Sequence, residues 1–397
     1  MDNQKKNYLL IAAILGASIC LRAPLTSVGP LVADIGNEMD ASPTLLGLLT
    51  TLPVLVFGIT SPFINLFGRR FGNYFCVMIG LLFILSGMLL RSAFGLQELF
   101  LGTVIMAVGI GVGNVLLPSI IKSSFPSGGG VMTGAYMTMQ GIFAGIGAGL
   151  SLPLARKLGL GWRVTLLIWA VAAMTAFFLW LPQYREERIN KVRSSFQLQR
   201  KSEKREKSVW CTSWAWYVTL FLGSQSLLFY SLSNWIPSML EDRGISAEAI
   251  SMIATWYQWS GVPTTFLAPI LMQKMSNKKL LAAMIGLGYF SGIVALLLAG
   301  SSIPLLLLAL TLASASGGAN YSLSMAMIVL MSKDAREAGE LSGMSQCAGY
   351  LLAASGPVVS GILYDYSGQW TATLLFYILV TIVLFVSGQL LMRHIPS

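Results

Sequence analysis

The chain has one histidine, His394 near its C-terminus, and its aspartates and glutamates lie in loops or at the ends of its long apolar stretches, never in their interiors. The side chains that usually relay protons across a membrane are therefore missing from the places where such relays sit. Charge of either sign is scarce, at 11% of 397 residues, where a soluble chain carries roughly twice that. The four cysteines, Cys20, Cys76, Cys211 and Cys347, are scattered without CxxC spacing, which argues against a disulfide framework or a zinc site. The sequence offers no nucleophile–base pair, metal-ligand cluster or ATP-binding motif. Its glycine-rich runs at 109–114 and 141–149 lack the lysine and the preceding strand of a phosphate loop. An enzyme or an ATP-driven pump is not expected, and no cofactor or metal is implied.

What fills the chain is apolar length. Hydrophobic residues make up 55% of it and the mean hydropathy is +0.71. Twelve apolar segments can be counted, at about 8–33, 43–67, 73–91, 97–121, 130–155, 163–182, 209–237, 246–272, 279–299, 303–331, 339–364 and 370–392. Each is long enough for one spanning helix. The first is too long, and too interrupted by arginine and proline, to be a signal peptide. The expected fold class is an all-α membrane protein with twelve transmembrane helices.

The net charge of +10 has a strongly one-sided distribution. With the N-terminus in the cytoplasm, twenty of the 26 lysines and arginines fall on the cytoplasmic side. Five (Arg91, Arg156, Lys157, Arg163 and Arg243) fall outside, and Arg22 lies in the membrane. This is the positive-inside pattern, so a multi-pass protein of the cytoplasmic (inner) membrane with both termini cytoplasmic is expected. The basic charge is a topological device beside an anionic leaflet, not a nucleic-acid surface.

The one long polar stretch, 183–208, divides the segments six and six. It predicts an N-terminal bundle at 1–182, a basic cytoplasmic linker at 183–208 and a C-terminal bundle at 209–397. The two bundles repeat. Pro30 matches Pro237 and Ser61-Pro62 matches Ala268-Pro269, both 207 apart. Asn114 matches Asn320 at 206, Thr133-Gly134 matches Ser342-Gly343 at 209, and Trp162 matches Trp370 at 208. Two pseudo-symmetric six-helix halves are implied, with a site between them near the midplane.

Arg22 stands near the middle of the first segment with no carboxylate in the interior of any other. A lone arginine at that depth costs roughly 2.5–3.5 kcal/mol on insertion scales and normally faces a bundle interior or a water-filled cavity. A guanidinium without an internal counterion suits an external one, and its planar fork matches carboxylate-like and other planar anions. The competing role is structural, as a cap for carbonyls freed by Pro24 or Pro30. Thr26 lies one turn on, on the same face. The other candidates are polar residues embedded in apolar segments: Asn114, Tyr136, Gln140, Gln225, Tyr257, Gln258, Asn320, Ser324, Gln346 and Tyr350. Each needs a hydrogen-bond partner from protein, water or ligand, so each serves equally as packing glue or as ligand contact. In the WYQW run, Tyr257 or Trp256 could wall a cavity for a planar ligand. Trp210, Trp214 and Trp216 read as an interfacial belt. The glycine runs read as faces where helices approach closely, and Ser355–Pro357 as a bend.

Several stretches narrow the family. CLRAPLTSVGPLVADI, GNVLLPSIIKSSFP, TGAYMTMQG and LSGMSQCAGYLLAASGPVVSGILYD together resemble the cyanate-permease and 2-nitroimidazole-transporter family of the major facilitator superfamily. The resemblance implies the major facilitator fold and a solute that is a small anion or a small polar ring compound. In one place the chain departs from the superfamily pattern. The loop after segment two reads NLFGRRFGNYF, with Arg69 and Arg70 but without the usual aspartate, which puts a carried-over gating salt bridge in doubt.

The expected function is thus secondary active or facilitated transport of a small anionic or polar planar solute by alternating access. The substrate-binding set is Arg22, Thr26, Asn114, Tyr136, Gln140, Gln225, Tyr257, Asn320, Gln346 and Tyr350. The expected partners are that solute and the lipid bilayer, with no nucleic acid, and the chain is expected to be a monomer. The alternative is a multidrug-type exporter of uncharged molecules in which Arg22 is structural.

Overall fold

The computed structural model describes residues 2–41, 43–93, 95–125, 128–195 and 208–394. These residues form twelve membrane helices. α1 opens as Asp2–Cys20, breaks at Leu21–Arg22, and resumes in short turns, Ala23–Thr26 and Gly29–Leu31, before Val32–Met39. α2 (Pro43–Phe71), α3 (Asn73–Ala93), α4 (Leu96–Ser124) and α5 (Gly129–Leu152) follow. α6 runs as Gly161–Leu167 and Trp169–Ser195. The second half repeats the pattern with α7 (Ser213–Glu241), α8 (Ala247–Ser260 and Val262–Lys274), α9 (Lys278–Leu298), α10 (Ile303–Met331), α11 (Ala335–Ser367) and α12 (Trp370–Leu391).

Ten of the twelve are long and apolar enough to cross a membrane by length and composition. The other two are α7, loaded with Ser224, Gln225, Ser226, Ser231, Ser233 and Asn234, and α8, which is interrupted at Gly261. Both exceptions line the interior space described below. The twelve apolar segments therefore correspond to the twelve helices, with two differences. α1, α8 and, at Ile168, α6 are broken where unbroken helices were expected. α11 runs as one helix through Pro357, whose carbonyl accepts the Trp235 indole N–H at 2.9 Å. α6 continues through the first half of the expected linker, to Ser195; residues 196–207 of that linker lie outside the described residues.

Local chemistry sets several helix ends. Ser246, Asn277 and Asp334 cap α8, α9 and α11, each side chain accepting the backbone N–H three residues on. α11 stops at Gly368, whose φ of 65° closes the last turn onto Tyr364. Arg243, after α7, donates to the carbonyls of Leu296 and Gly300 at the end of α9, where a cation complements the helix dipole. Burial there pushes its guanidinium below the usual range.

The internal repeat carries over into contacts. Trp162 at the start of α6 donates its indole N–H to Glu38 at the end of α1, at 2.6 Å. Trp370 at the start of α12 donates to Asp242 after α7, at 2.8 Å. The same tryptophan-to-acid bond ties the first and last helix of each half.

Between the halves, contact is concentrated towards the face that carries both chain termini. There α2 and α4 lie against α11, and α5 against α8 and α10. Ser119 donates to the Ala335 carbonyl at 2.6 Å, and Arg69 pairs with Glu340 at 2.8 Å. The missing aspartate of the α2–α3 loop thus does not leave the halves without an ionic tie, since Arg69 reaches the first turns of α11 instead. Gly339 allows the approach, because a Cβ there would stand 2.7 Å from Asn65 Oδ1. In hydrocarbon, helices gain little from apolar burial, so close packing and interhelical hydrogen bonds of about 0.6–2 kcal/mol each hold such contacts.

Candidate solute-binding site

On the opposite face the halves separate around a cavity of about 720 Å³. That volume suits a small organic molecule. Its wall comes from the second half of α1, the first half of α2, the second halves of α5, α7 and α11, and the first half of α8. Thr26, Pro30, Phe57, Phe229, Tyr230 and Gln258 are among the lining residues.

Arg22 stands in the break of α1, behind residues that line this vestibule. Its guanidinium carbon is 5.1 Å from the centre of the Phe229 ring, which also lines the vestibule, and 4.8 Å from that of Tyr321 on α10. Tyr230 and Tyr350 close around the same group. Tyr350 in turn lies 5.4 Å, ring to ring, from Phe57, and its hydroxyl is 3.4 Å from that of Tyr321. The cation, which belongs to the first half, is therefore caged by rings of the second half, an arrangement worth about 0.5–2 kcal/mol per stacked face depending on solvation. No carboxylate pairs with it among the described residues.

The break itself follows from Pro24 and Pro30, which cannot donate to the preceding turn. Its carbonyls are served by other residues. Arg91 Nη1 donates to the Pro24 carbonyl at 2.8 Å, and Ser27 Oγ reaches the same oxygen at 3.3 Å. Ser151 on α5 donates to the Ser27 carbonyl at 3.0 Å. The capping role open to Arg22 in the sequence is thus filled mainly by Arg91. Arg91, counted in the sequence as an outside loop charge, is fully buried in the last turn of α3, with Nε and Nη2 unpartnered.

The remaining candidates fall into three groups. Thr26 lines the vestibule and donates to the Ala144 carbonyl of α5 at 2.8 Å. Gly147, one turn on, permits this crossing, since a Cβ there would meet the Ala23 carbonyl at 2.8 Å.

Tyr136 and Gln140 on α5, Asn114 on α4, Asn320 on α10, and Gln346 and Tyr350 on α11 are all buried towards the centre. Tyr136 approaches Tyr321, and Gln346 donates to the Asn114 carbonyl at 2.8 Å, so this group bridges the halves beneath the ring cage. Ser324, one turn on from Asn320, donates to its side-chain oxygen at 3.2 Å.

Gln225 and Tyr257 stand apart. Gln225 is buried one turn before Phe229 and accepts from Ser226. Tyr257 lies behind Phe229, ring centres 6.2 Å apart, with its hydroxyl beside Tyr289 inside the second half. Trp256 is exposed and donates to Thr311, facing away from the cavity. Gln258 lines the cavity and donates to Ser233. Phe57, Phe229, Tyr230 and Tyr321 escaped the sequence reading. Only Tyr321 carried a signal, a hydroxyl next to Asn320 in an apolar run.

Twelve helices in two like halves, parted by a vestibule on one face and joined on the other, define a polytopic membrane transporter. The chain belongs to the Major Facilitator Superfamily, whose family model matches residues 14–247 and 226–396. It is 37% identical to an uncharacterized transporter of Bacillus subtilis (YycB) over 97% of this chain and 93% of that one. It is 34% identical to the 2-nitroimidazole transporter of Escherichia coli, over 97% and 95% of the two chains. It is 27% identical to the cyanate transport protein of the same organism, over 95% of each. Among solved structures, the proton:xylose symporter XylE superposes with a TM-score of 0.75 at 13% identity, covering 98% of this chain and 96% of that one. FucP in its outward conformation gives 0.68 at 15% identity, covering 96% and 99%. These two likenesses concern the fold.

Proposed function

We propose that the chain carries a small planar solute, anionic or strongly polar, across the cytoplasmic membrane by rocking of the bundles 1–182 and 209–397 about a site at Arg22. The observation that carries this reading is the position of Arg22. It is a cation behind the vestibule wall with no carboxylate partner among the described residues, next to a helix break whose carbonyls are held by Arg91, Ser27 and Ser151 instead. An anion or an electron-rich edge that passes Phe229 from the vestibule would meet a cation that no carboxylate neutralises among the described residues, and the surrounding rings offer flat faces to a flat molecule. The names of two relatives, a 2-nitroimidazole transporter and a cyanate transport protein, are compatible with such a ligand. With both termini cytoplasmic, as the basic loops suggest, the open vestibule faces outward. The chain is taken to work as a monomer.

The test is ligand-induced stabilisation of the purified protein, wild type against Arg22→Gln, with 2-nitroimidazole, cyanate and small aromatic acids as probes. Bound ligand raises the apparent unfolding midpoint by mass action. The proposal expects stabilisation of the wild type and loss of at least ten-fold in affinity with Arg22→Gln. Equal stabilisation of both proteins by neutral rings would replace it with the second reading, an exporter of uncharged molecules. That reading draws on the upper vestibule, where Leu46, Leu49, Val54, Leu152 and Pro237 make the wall largely apolar.

A further inference from the structure

Beneath the ring cage, the buried amides set a second requirement on the solute. Gln346 donates its Nε2 to the Asn114 carbonyl at 2.8 Å and to Ser342 Oγ at 3.0 Å. A backbone carbonyl only accepts, so this bond fixes which way the amide points. Its Oε1 is then an acceptor, fully buried and without a partner. Gln140 is also buried, and neither its Oε1 nor its Nε2 has a partner, so it offers one acceptor and one donor whichever way it is turned.

Both residues stand next to the Arg22 cage. Gln140 lies between Tyr136, which approaches Tyr321, and Ala144, whose carbonyl takes the Thr26 hydroxyl. Gln346 is one turn from Tyr350, whose hydroxyl is 3.4 Å from that of Tyr321. Close to the one cation, on helix turns adjacent to those that cage it, lie at least two buried carbonyl oxygens that want hydrogen.

We infer that the solute must carry an N–H or O–H donor in addition to its anionic or polar acceptor edge, and that Gln346 and Gln140 read that donor. This rests on the proposal that Arg22 holds the acceptor edge. A bare anion such as cyanate has acceptors alone. It satisfies Arg22 but leaves two buried carbonyl oxygens unpaired and facing negative charge, a costly arrangement in a low-dielectric interior. A planar ring with a ring N–H, or an aromatic acid with a phenolic O–H, pairs with both sides at once. A site built around such a bond discriminates strongly against an analogue that lacks it, because its own buried groups are then left unpaired.

Matched ligand pairs test this. 2-Nitroimidazole is compared with its N1-methyl derivative, and 4-hydroxybenzoate with 4-methoxybenzoate, by shift of the unfolding midpoint in wild type, Gln346→Met, Gln140→Leu and Arg22→Gln. In the wild type, the donor-bearing member of at least one pair should bind about ten-fold or more tightly than its blocked partner. In Gln140→Leu or Gln346→Met that gap should fall to about two-fold. The two amide variants stand in for each other should one fail to fold, since Gln346 also bridges the halves. Equal binding within both pairs by the wild type overturns the inference, as does a gap that survives both amide substitutions, or cyanate binding more tightly than either donor-bearing ring. The Arg22 reading fails in a different way, through unchanged affinity for both members of a pair in Arg22→Gln, with the gap itself still measurable.

Discussion

Replacing Arg91 by methionine should leave the protein about as stable as the wild type, although it removes a fully buried arginine. Two effects of similar size oppose each other. The guanidinium makes one bond, to the Pro24 carbonyl at 2.8 Å, and a hydrogen bond from a charged group contributes roughly 1.5–3 kcal/mol. The position in the last turn of α3 adds about 0.3–1 kcal/mol from the helix dipole. Against this stands the cost of a buried cation with two unpartnered N–H groups, roughly 1–3 kcal/mol for a buried unsatisfied donor and more where it is charged. Methionine fills much of the space, and the Pro24 carbonyl keeps Ser27 Oγ at 3.3 Å as a second donor. The net change should lie within about 1 kcal/mol of zero, a shift of no more than about 2–4 °C in apparent midpoint. Arg91→Ala keeps the same electrostatic change but opens a void beside Gly102, and should cost about 2–4 kcal/mol more. The assay is thermal unfolding of the three purified proteins in one detergent, with solute binding measured alongside. Methionine should reduce binding while preserving stability, because the break that presents Arg22 loses its main tether. A midpoint for Arg91→Met as low as that of Arg91→Ala would refute the account, since it would mean that the guanidinium is fully partnered and is a net stabilising element.

The ionic tie on the terminal face predicts a modest shift of conformational balance. Arg69 and Glu340 are both partly exposed, so Glu340→Gln should weaken closure by at most about 1 kcal/mol and raise thiol labelling of a Ser342→Cys probe by up to about five-fold in a cysteine-free background. Unchanged labelling would show that the pair does not hold the halves. The α1–α5 crossing gives a second test from two neighbouring glycines. Gly147→Ala, whose Cβ would press on the Ala23 carbonyl, should impair folding or solute binding, whereas Gly149→Ala, with nothing within 4 Å of its Cβ, should behave as wild type in both.

The number of helices, their order and the division six and six can be read from sequence because apolar length is a strong, local signal. The breaks in α1 and α8 were less legible. Both lie inside runs that are apolar enough to pass as one span, and only Pro24 and the Gly261–Pro263 region mark where the backbone hydrogen bonds lapse. Polar atoms buried in apolar helices announced Arg22, Gln140 and Gln346, since each demands a partner. The rings that cage Arg22 made no such demand. Phe229 and Phe57 look like any lipid-facing phenylalanine until the helices are placed. Arg91 was misread for the converse reason, because a charge at the end of an apolar run has the appearance of a loop residue. The tie from Arg69 to Glu340 joins positions 271 apart, which no local pattern could pair.

The repeat gives the site a further meaning once the rings are in place. The offset of 207 that relates Pro30 to Pro237 also relates Arg22 to Phe229, within LRAPLTSVGP of α1 and LFYSLSNWIP of α7. The cation and the ring it stacks on therefore occupy equivalent positions in the two halves, 5.1 Å apart across the pseudo-twofold relation. An arginine at both positions would set two cations face to face in a low-dielectric interior, a repulsion of several kcal/mol even at an effective dielectric constant of about 20. Two phenylalanines would leave the site without charge. One of each converts the same backbone geometry into an attractive contact between the halves and leaves a single positive group to present to the vestibule. A backbone symmetric enough for two halves to move against each other can thus hold a chemically one-sided site, with the charge on α1 and its flat partner on α7.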